Sequence, residues 1–170
     1  MSIVPGVDRD HIRLSGPIER DSIVNGPGLR AVVWTQGCLI HCPGCQNPET
    51  WDPESGTLVE VEAVKEELRG LTGQNGLTFC GGEPSLQAEA CIEIARFAKR
   101  ELGWTVWSFS GYTYEKLKER GGPAWEFVKE LDALIDGPFV LEQRDLTVKF
   151  RGSRNQRLLH LKDGEIVGIE

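Results

Sequence analysis

Short apolar runs that end in glycine-bearing loops, each followed by a helical stripe, recur along this chain. That alternation restricts the fold more than any other feature of the sequence. Residues 29–35, Leu-Arg-Ala-Val-Val-Trp-Thr, form a β-branched and nearly continuous apolar run that suits a strand buried on both faces. Residues 77–80, 104–109 and 133–135 read as three further buried strands. Helical spacing occupies 59–71, with Val61, Val64, Leu68 and Leu71 on one stripe, and 86–102, with Cys91, Ala95, Ala98 and Leu102 on another. Helices are also predicted over 114–120 and 123–131. Residues 12–18 read as a short strand, 157–161 and 166–169 as a closing hairpin around Asp163-Gly164, and 1–10 as a loose tail. The pattern predicts an α/β fold, a mainly parallel open sheet with helices outside. About four strand–helix units would make only a partial (β/α) barrel of the TIM-like kind. Residues 1–170 read as one domain, because no repeat, low-complexity segment or linker interrupts them.

Each strand end delivers a segment with chemical character. After 29–35 comes Cys38-Leu-Ile-His-Cys42-Pro-Gly-Cys45, a C-x3-C-x2-C run. After 77–80 come Gly81, Gly82 and Glu83; after 104–109, Ser110-Gly111-Tyr112; after 133–135, Asp136-Gly-Pro138. Parallel α/β proteins gather their sites at that edge of the sheet. Thiolates this close together on one loop suit a metal centre. A closed zinc site takes four ligands, whereas three cysteines on a 4Fe–4S cluster leave one iron open to a small molecule. A zinc knuckle that recruits His41 or Cys80 as its fourth ligand is the competing reading. A redox dithiol would leave the third cysteine without a role.

Composition narrows the classes. A content of 39% hydrophobic and 26% charged residues suits a packed core, and the net charge of −7 argues against general nucleic-acid or anionic-membrane binding. No apolar stretch approaches the ~20 residues of a membrane span. The first ten residues lack the charged and apolar regions of a signal peptide. Five cysteines, three of them clustered, do not resemble a disulfide framework, so a cytoplasmic, reducing location is expected. One local basic run, Arg144, Lys149, Arg151, Arg154 and Arg157, reads equally as a solvated face or as a polar binding loop.

The cysteine run after a first strand resembles the signature of radical S-adenosylmethionine (SAM) enzymes. Further segments resemble the anaerobic ribonucleotide reductase activating proteins, a branch of the glycyl-radical-enzyme activases. These are Asp21-Ser-Ile-Val-Asn-Gly-Pro-Gly-Leu-Arg30, Gln36 to Trp51, Gly81-Gly-Glu-Pro84, Trp107-Ser-Phe-Ser-Gly-Tyr112, Asp136-Gly-Pro-Phe-Val140 and Arg151-Gly-Ser-Arg-Asn-Gln156. The cysteine spacing alone marks the superfamily; the ordered string of segments is far more specific. The resemblance implies a radical SAM fold and a 4Fe–4S cluster on Cys38, Cys42 and Cys45, with SAM on the open iron. It implies reductive cleavage of SAM to a 5′-deoxyadenosyl radical, which takes a Cα hydrogen from one glycine of a partner, the anaerobic ribonucleotide reductase. With no additional cysteine cluster, electrons would come from a flavodoxin or ferredoxin-type donor.

Other candidates follow from strand-end position and the resemblance together. Gly81 and Gly82 would let backbone approach a ligand, and Glu83 would accept from the methionine ammonium group or cap the following helix. Members of this branch often carry Asp at that position, where Glu is common in the wider superfamily. Pro43-Gly44 replaces the aromatic residue common before the third cysteine, and Gly44 would offer backbone to the adenine edge. Ser110, Gly111 and Tyr112 would touch SAM or form a polar turn. Asp136 would bind ribose or start a turn, and Arg151 and Asn155 would meet the SAM carboxylate or the partner. Cys80 and Cys91 read as small core residues, Trp34, Trp104 and Trp107 as sheet packing, and Trp51 as cover for the cysteine loop. Two alternatives stay open: the same chemistry on another glycyl radical enzyme or a small molecule, and a non-enzymatic iron–sulfur carrier or zinc module.

Overall fold

Residues 3–170 are described by a computed structural model. One mixed sheet organises them. Its strands are β1 (His11–Leu14), β2 (Glu19–Ser22), β3 (Arg30–Thr35), β4 (Thr57–Glu60), β5 (Gly76–Gly81), β6 (Thr105–Phe109), β7 (Ala133–Asp136), β8 (Arg157–Lys162) and β9 (Glu165–Ile169). The helices are α1 (Val61–Arg69), α2 (Ala88–Glu101), α3 (Tyr114–Arg120) and α4 (Gly122–Lys129). Spatial order is β4-β1-β3-β5-β6-β7-β8-β9, with β2 also paired to β3, so β4 and β9 are free edges and the sheet does not close.

The expectation of a mainly parallel sheet needs correction. Only the central strands β3, β5, β6 and β7 run parallel, joined by crossovers that carry the helices. Both flanks are antiparallel: β1 with β4, β1 and β2 with β3, β7 with β8, β8 with β9. Two flank strands escape hydrophobic patterning for a physical reason. β2 is Glu-Arg-Asp-Ser with three of its four residues exposed, and β4 is an edge strand with exposed Thr57 and Leu58. Both are held by backbone pairing rather than by apolar burial. Residues 59 and 60, expected as the first turn of a helix, therefore belong to β4, and α1 begins at Val61. The segment expected as one strand over 12–18 ends at Leu14. Within the segment expected as a loose tail, Val4 is fully buried, and the Arg13 side chain donates to the Pro5 carbonyl; residues 1 and 2 lie outside the described residues.

The helices cover one face of the sheet. Ala31, Val33, Leu77, Phe79, Val106 and Leu134 meet Val64, Leu68, Ile94, Ala95, Leu117 and Phe127 there. Each fully buried Leu, Ile or Phe in that layer stabilises by roughly 1.5–3 kcal/mol. Thr113 caps α3 through its side chain, accepting from the Lys116 N–H at 3.2 Å, and Gly121, at φ 64°, ends it. On the opposite face a smaller cluster joins Trp107, Ala133, Ile135 and Leu158, with Phe109 and Phe150 packed against it. Both faces are thus covered, which explains the unbroken apolar runs of the central strands.

Beneath that second face lies a buried charge. Arg30, at the start of β3, is fully buried. Its guanidinium donates to Thr78 Oγ1 at 2.9 Å, the Leu77 carbonyl at 2.9 Å, Thr105 Oγ1 at 3.0 Å, the Thr105 carbonyl at 3.1 Å and the Pro27 carbonyl at 3.3 Å. Its Cζ stands 5.4 Å from the Trp107 ring centre. Burial lowers its pKa to about 10, so the charge persists at neutral pH. Only glycine fits beside it: a Cβ on Gly76 would run into the guanidinium, and one on Gly26 would lie 2.7 Å from Arg30 Cδ. This residue clamps the N-terminal ends of three parallel strands to the turn at 25–28. Arg30→Leu strands several buried acceptors and is expected to destabilise the fold by roughly 2–4 kcal/mol. The midpoint of urea unfolding measures this, and an unchanged midpoint contradicts it.

Candidate active site

At the other, C-terminal edge of the parallel strands, four loops converge on one cleft. Its walls include Cys38, Cys42 and Cys45 from the loop after β3, Gly81 at the end of β5 with Gly82 and Glu83 after it, Ser110 and Gly111 after β6, and Gly137, Phe139 and Gln156 after β7. Ile40, Thr50, Trp51 and Phe109 complete it. A roomier cavity of ≈580 Å³ lies between the start of α2 and the start of α4, against ≈120 Å³ for the cysteine cleft. The larger one is lined by no thiol, so donor chemistry rather than size identifies the candidate site.

The cysteine loop is secured at its root. Gly37 N–H donates to Thr50 O at 2.7 Å, and Cys38 N–H to Trp51 O at 3.0 Å. Gln36 donates from Nε2 to the carbonyls of Glu49 (3.0 Å) and Asp52 (2.8 Å), while Gln87 Nε2 donates to Gln36 O at 2.9 Å. Within the loop His41 takes φ 51° and stacks on Trp51, with ring centres 4.5 Å apart and planes 13° from parallel. Asn47 N–H points at Cys45 Sγ at 3.4 Å. Burial pushes the Cys38 thiol up, and the nearby Glu83 carboxylate adds to that shift. Among the described residues, no three or more His, Cys, Asp or Glu side chains close around a single ion position. Cys38, Cys42 and Cys45 nonetheless all line the one cleft, and an iron–sulfur cluster takes its cysteines on separate irons.

Backbone contact decides where the second wall sits. Gly82 N–H donates to Thr35 O at 2.9 Å and Glu83 N–H to Gly37 O at 2.8 Å. A Cβ on Gly82 would strike Gly37 O, and one on Gly111 would strike Ile40 Cδ1. Glu83 itself is 1% exposed. Its Oε2 accepts from Ser85 Oγ (2.5 Å), Ser85 N–H (3.2 Å) and Ser110 Oγ (2.8 Å), and its Oε1 accepts from Gly111 N–H (2.7 Å). Burial raises its pKa while those hydrogen bonds oppose the rise. Glu83 therefore caps the turn Pro84–Gln87 and also faces the cleft, and among the described residues its Oε1 accepts from Gly111 N–H alone, which leaves one lone pair spare.

Several expected residues sit elsewhere. Asp136 is buried, but its oxygens face Tyr114 N–H at 2.7 Å and the fork of Arg157 (3.0 and 2.5 Å), not the cleft. Its neighbour Gly137 lines the wall instead. Arg151 donates to the Lys149 carbonyl at 3.0 Å and the Glu170 carbonyl at 2.6 Å, away from the cleft. Gly44, at φ 79°, lies under Leu141 and Phe139, where a Cβ would come within 3.0 and 3.4 Å of those side chains. Tyr112 pairs with Arg120, whose Cζ stands 4.3 Å from its ring centre. Asn155 donates from Nδ2 to the Pro138 carbonyl at 2.7 Å, and its buried Oδ1 has no hydrogen-bond partner among the described residues. Cys91 is buried in the helix-side core. Cys80 keeps some exposed surface as a residue, yet its thiol lies deep enough that burial pushes it up to about 12. Ile40, Thr50, Phe109, Phe139 and Gln156 are wall residues that the sequence did not single out. All five fall in the segments 36–51, 107–112, 136–140 and 151–156 that carry the resemblance, which was the available signal.

Gly82→Ala must push the β5 end and the cysteine loop apart. The expected cost is about 1–3 kcal/mol, typical of overpacking, and it is read from the urea unfolding midpoint. A wild-type midpoint contradicts the close approach.

The family described as "4Fe-4S single cluster domain" matches residues 24–159. An anaerobic ribonucleoside-triphosphate reductase-activating protein of Enterobacteria phage T4 is 37% identical over 153 residues, covering 83% of this chain and 90% of that protein. The protein of the same name from Escherichia coli K12 is 32% identical over 148 residues, covering 82% and 94%. A pyruvate formate-lyase-activating enzyme of Clostridium pasteurianum is 38% identical over 107 residues, covering 60% of this chain and 45% of its own length. With its three thiols on one cleft and this extent of similarity, the chain belongs to the 4Fe–4S single-cluster domain family and, within it, to the anaerobic ribonucleoside-triphosphate reductase-activating proteins.

Proposed function

We propose that this protein is a radical SAM activating enzyme that generates a glycyl radical on an anaerobic ribonucleotide reductase. The observation that carries the reading is the meeting of Cys38, Cys42 and Cys45 with Gly81, Gly82 and Glu83 on one cleft. On this reading residues 1–170 form one radical SAM domain and the open sheet is a partial (β/α) barrel.

The donor set fits a 4Fe–4S cluster with SAM beside it. Cys38, Cys42 and Cys45 would hold the cluster as thiolates, and three ligands for four irons would leave a position for SAM. Glu83 Oε1, with its spare lone pair, accepts from the methionine ammonium group, a charge-assisted contact worth roughly 1.5–3 kcal/mol. Ser85, Ser110 and Gly111 hold that carboxylate in place. Gly81 and Gly82 bring backbone close to the ligand. Ile40, Trp51, Phe109 and Phe139 keep water away from the reacting carbon. A cluster held there would supply the single electron that reductive cleavage of SAM requires, and the adenosyl fragment so released would take the glycine Cα hydrogen.

Electrons come from an external flavodoxin or ferredoxin-type protein, and the setting is cytoplasmic. No helix among the described residues is long and apolar enough to cross a membrane. The match to a pyruvate formate-lyase-activating enzyme supports a second reading, in which the same chemistry serves another glycyl radical enzyme.

Anaerobically reconstituted protein with dithionite is expected to cleave SAM to 5′-deoxyadenosine, and with the host's reductase to give the doublet of a glycyl radical in electron paramagnetic resonance. Cleavage without the doublet selects the second reading. Cys38→Ala, Cys42→Ala and Cys45→Ala are each expected to abolish cleavage, whereas Cys80→Ser and Cys91→Ser retain it. Activity surviving in any of the first three removes the ligand assignment.

A further inference from the structure

Residues 137–156 connect β7 to β8 with no element of their own beyond the single turn Leu141–Gln143. Loops longer than about 12–15 residues in a compact fold are uncommon and usually functional. This one folds back on itself. Arg144 and Ser153 form an antiparallel bridge, Arg154 N–H donates to Gln143 O at 2.9 Å, and Asp145 N–H donates to Gly152 O at 3.2 Å. Phe150 anchors it edge-on to Trp107, with ring centres 5.5 Å apart. Its root walls the cleft through Phe139, and Leu141 rests over Gly44 of the cysteine loop.

The flap carries Arg144, Lys149, Arg151 and Arg154 against Glu142 and Asp145, so it is net basic on a chain of net charge −7, and it exposes apolar side chains. Leu141 is 48% exposed and Leu146 76% exposed. Of the five basic residues in the run, Arg157 is committed to Asp136 and Glu115, and Arg151 to two backbone carbonyls. Arg144, Lys149 and Arg154 are exposed, and among the described residues none is within ion-pair distance of a carboxylate. Arg154 acts on Asp145, and Lys149 on Glu170, only through space.

We propose that this flap is the docking lip for the reductase segment that carries the target glycine, and that this segment meets it with acidic and apolar side chains. The proposal rests on the function proposed above and names where the partner binds. Hydrogen transfer requires the glycine Cα to reach the cleft, and the flap is both the cleft's wall and its neighbouring outer surface. Exposed Leu141 and Leu146 suit an interface that must exclude water while a radical is moved. A transient electron donor relies on a small, charge-dominated contact instead.

The test compares wild-type protein, the triple variant Arg144→Glu/Lys149→Glu/Arg154→Glu, and Leu146→Ser, each reconstituted with its cluster. Dithionite-driven SAM cleavage without reductase is expected to stay within about twofold of wild type, because none of these side chains lines the cleft. The reductase concentration giving half-maximal glycyl radical is expected to rise on the order of tenfold in the triple variant, with a flatter dependence on salt. A smaller rise, about threefold, is expected for Leu146→Ser. An unchanged half-maximal concentration in both variants overturns the proposal. So does slower cluster reduction by a reduced flavodoxin with the reductase dependence intact, which would assign the flap to the electron donor. Absence of any glycyl radical from the wild-type protein sinks the functional reading first, and the docking proposal with it.

Discussion

Everything at the chemical end of this molecule depends on the contact between the backbone of Gly37 and that of Gly82 and Glu83. Gly37 accepts from Glu83 N–H and donates to Thr50, so it joins the end of β5 to both limbs of the cysteine loop. No side chain larger than hydrogen fits at position 82, because the Gly37 carbonyl lies against it. This junction brings the thiols after β3 and the carboxylate after β5 to a single cleft. Glycine is needed there for what it lacks rather than for flexibility.

The two ends of the parallel strands solve opposite problems. At the N-terminal end, Arg30 is buried, has no ion-pair partner among the described residues, and has its donors met by carbonyls and hydroxyls of β5, β6 and the turn before β3. Such a charge contributes order rather than chemistry, because every donor direction is already assigned. At the C-terminal end, groups are left with spare capacity: three thiols without partners in a disulfide, and a Glu83 Oε1 that accepts a single hydrogen bond. Strand polarity separates the clamp from the site, as it does generally in parallel α/β folds.

How much could be read from the chain depended on which force held each part. The central strands and all four helices are held by apolar burial, and their periods were legible within a residue or two. β2 and β4 are held by backbone pairing at exposed positions, and their side chains carry no hydrophobic signal of it. The same distinction applies to the site. Cys38, Cys42 and Cys45 are close in sequence, so their proximity is local and readable. Asp136 stood at a strand end like the cleft residues, but its carboxylate is taken by the guanidinium of Arg157, which lies twenty-one positions further along the chain. Arg151 was likewise drawn to the carbonyls of Lys149 and Glu170.

By itself the sequence determined the alternation of strands and helices, the edge of the sheet where chemistry collects, and the cysteine triplet with its Gly-Gly-Glu companion. Those features are local, since hydrophobic period, turn residues and ligand spacing are each written within a dozen positions. Only the tertiary structure decided that Glu83 is saturated on one oxygen and not the other, that Gly44 underlies Leu141, and which of five basic residues pair with a carboxylate among the described residues. Each of these is a competition between groups distant in the chain for the same hydrogen bond or the same space, and such contests have no outcome until the chain is packed.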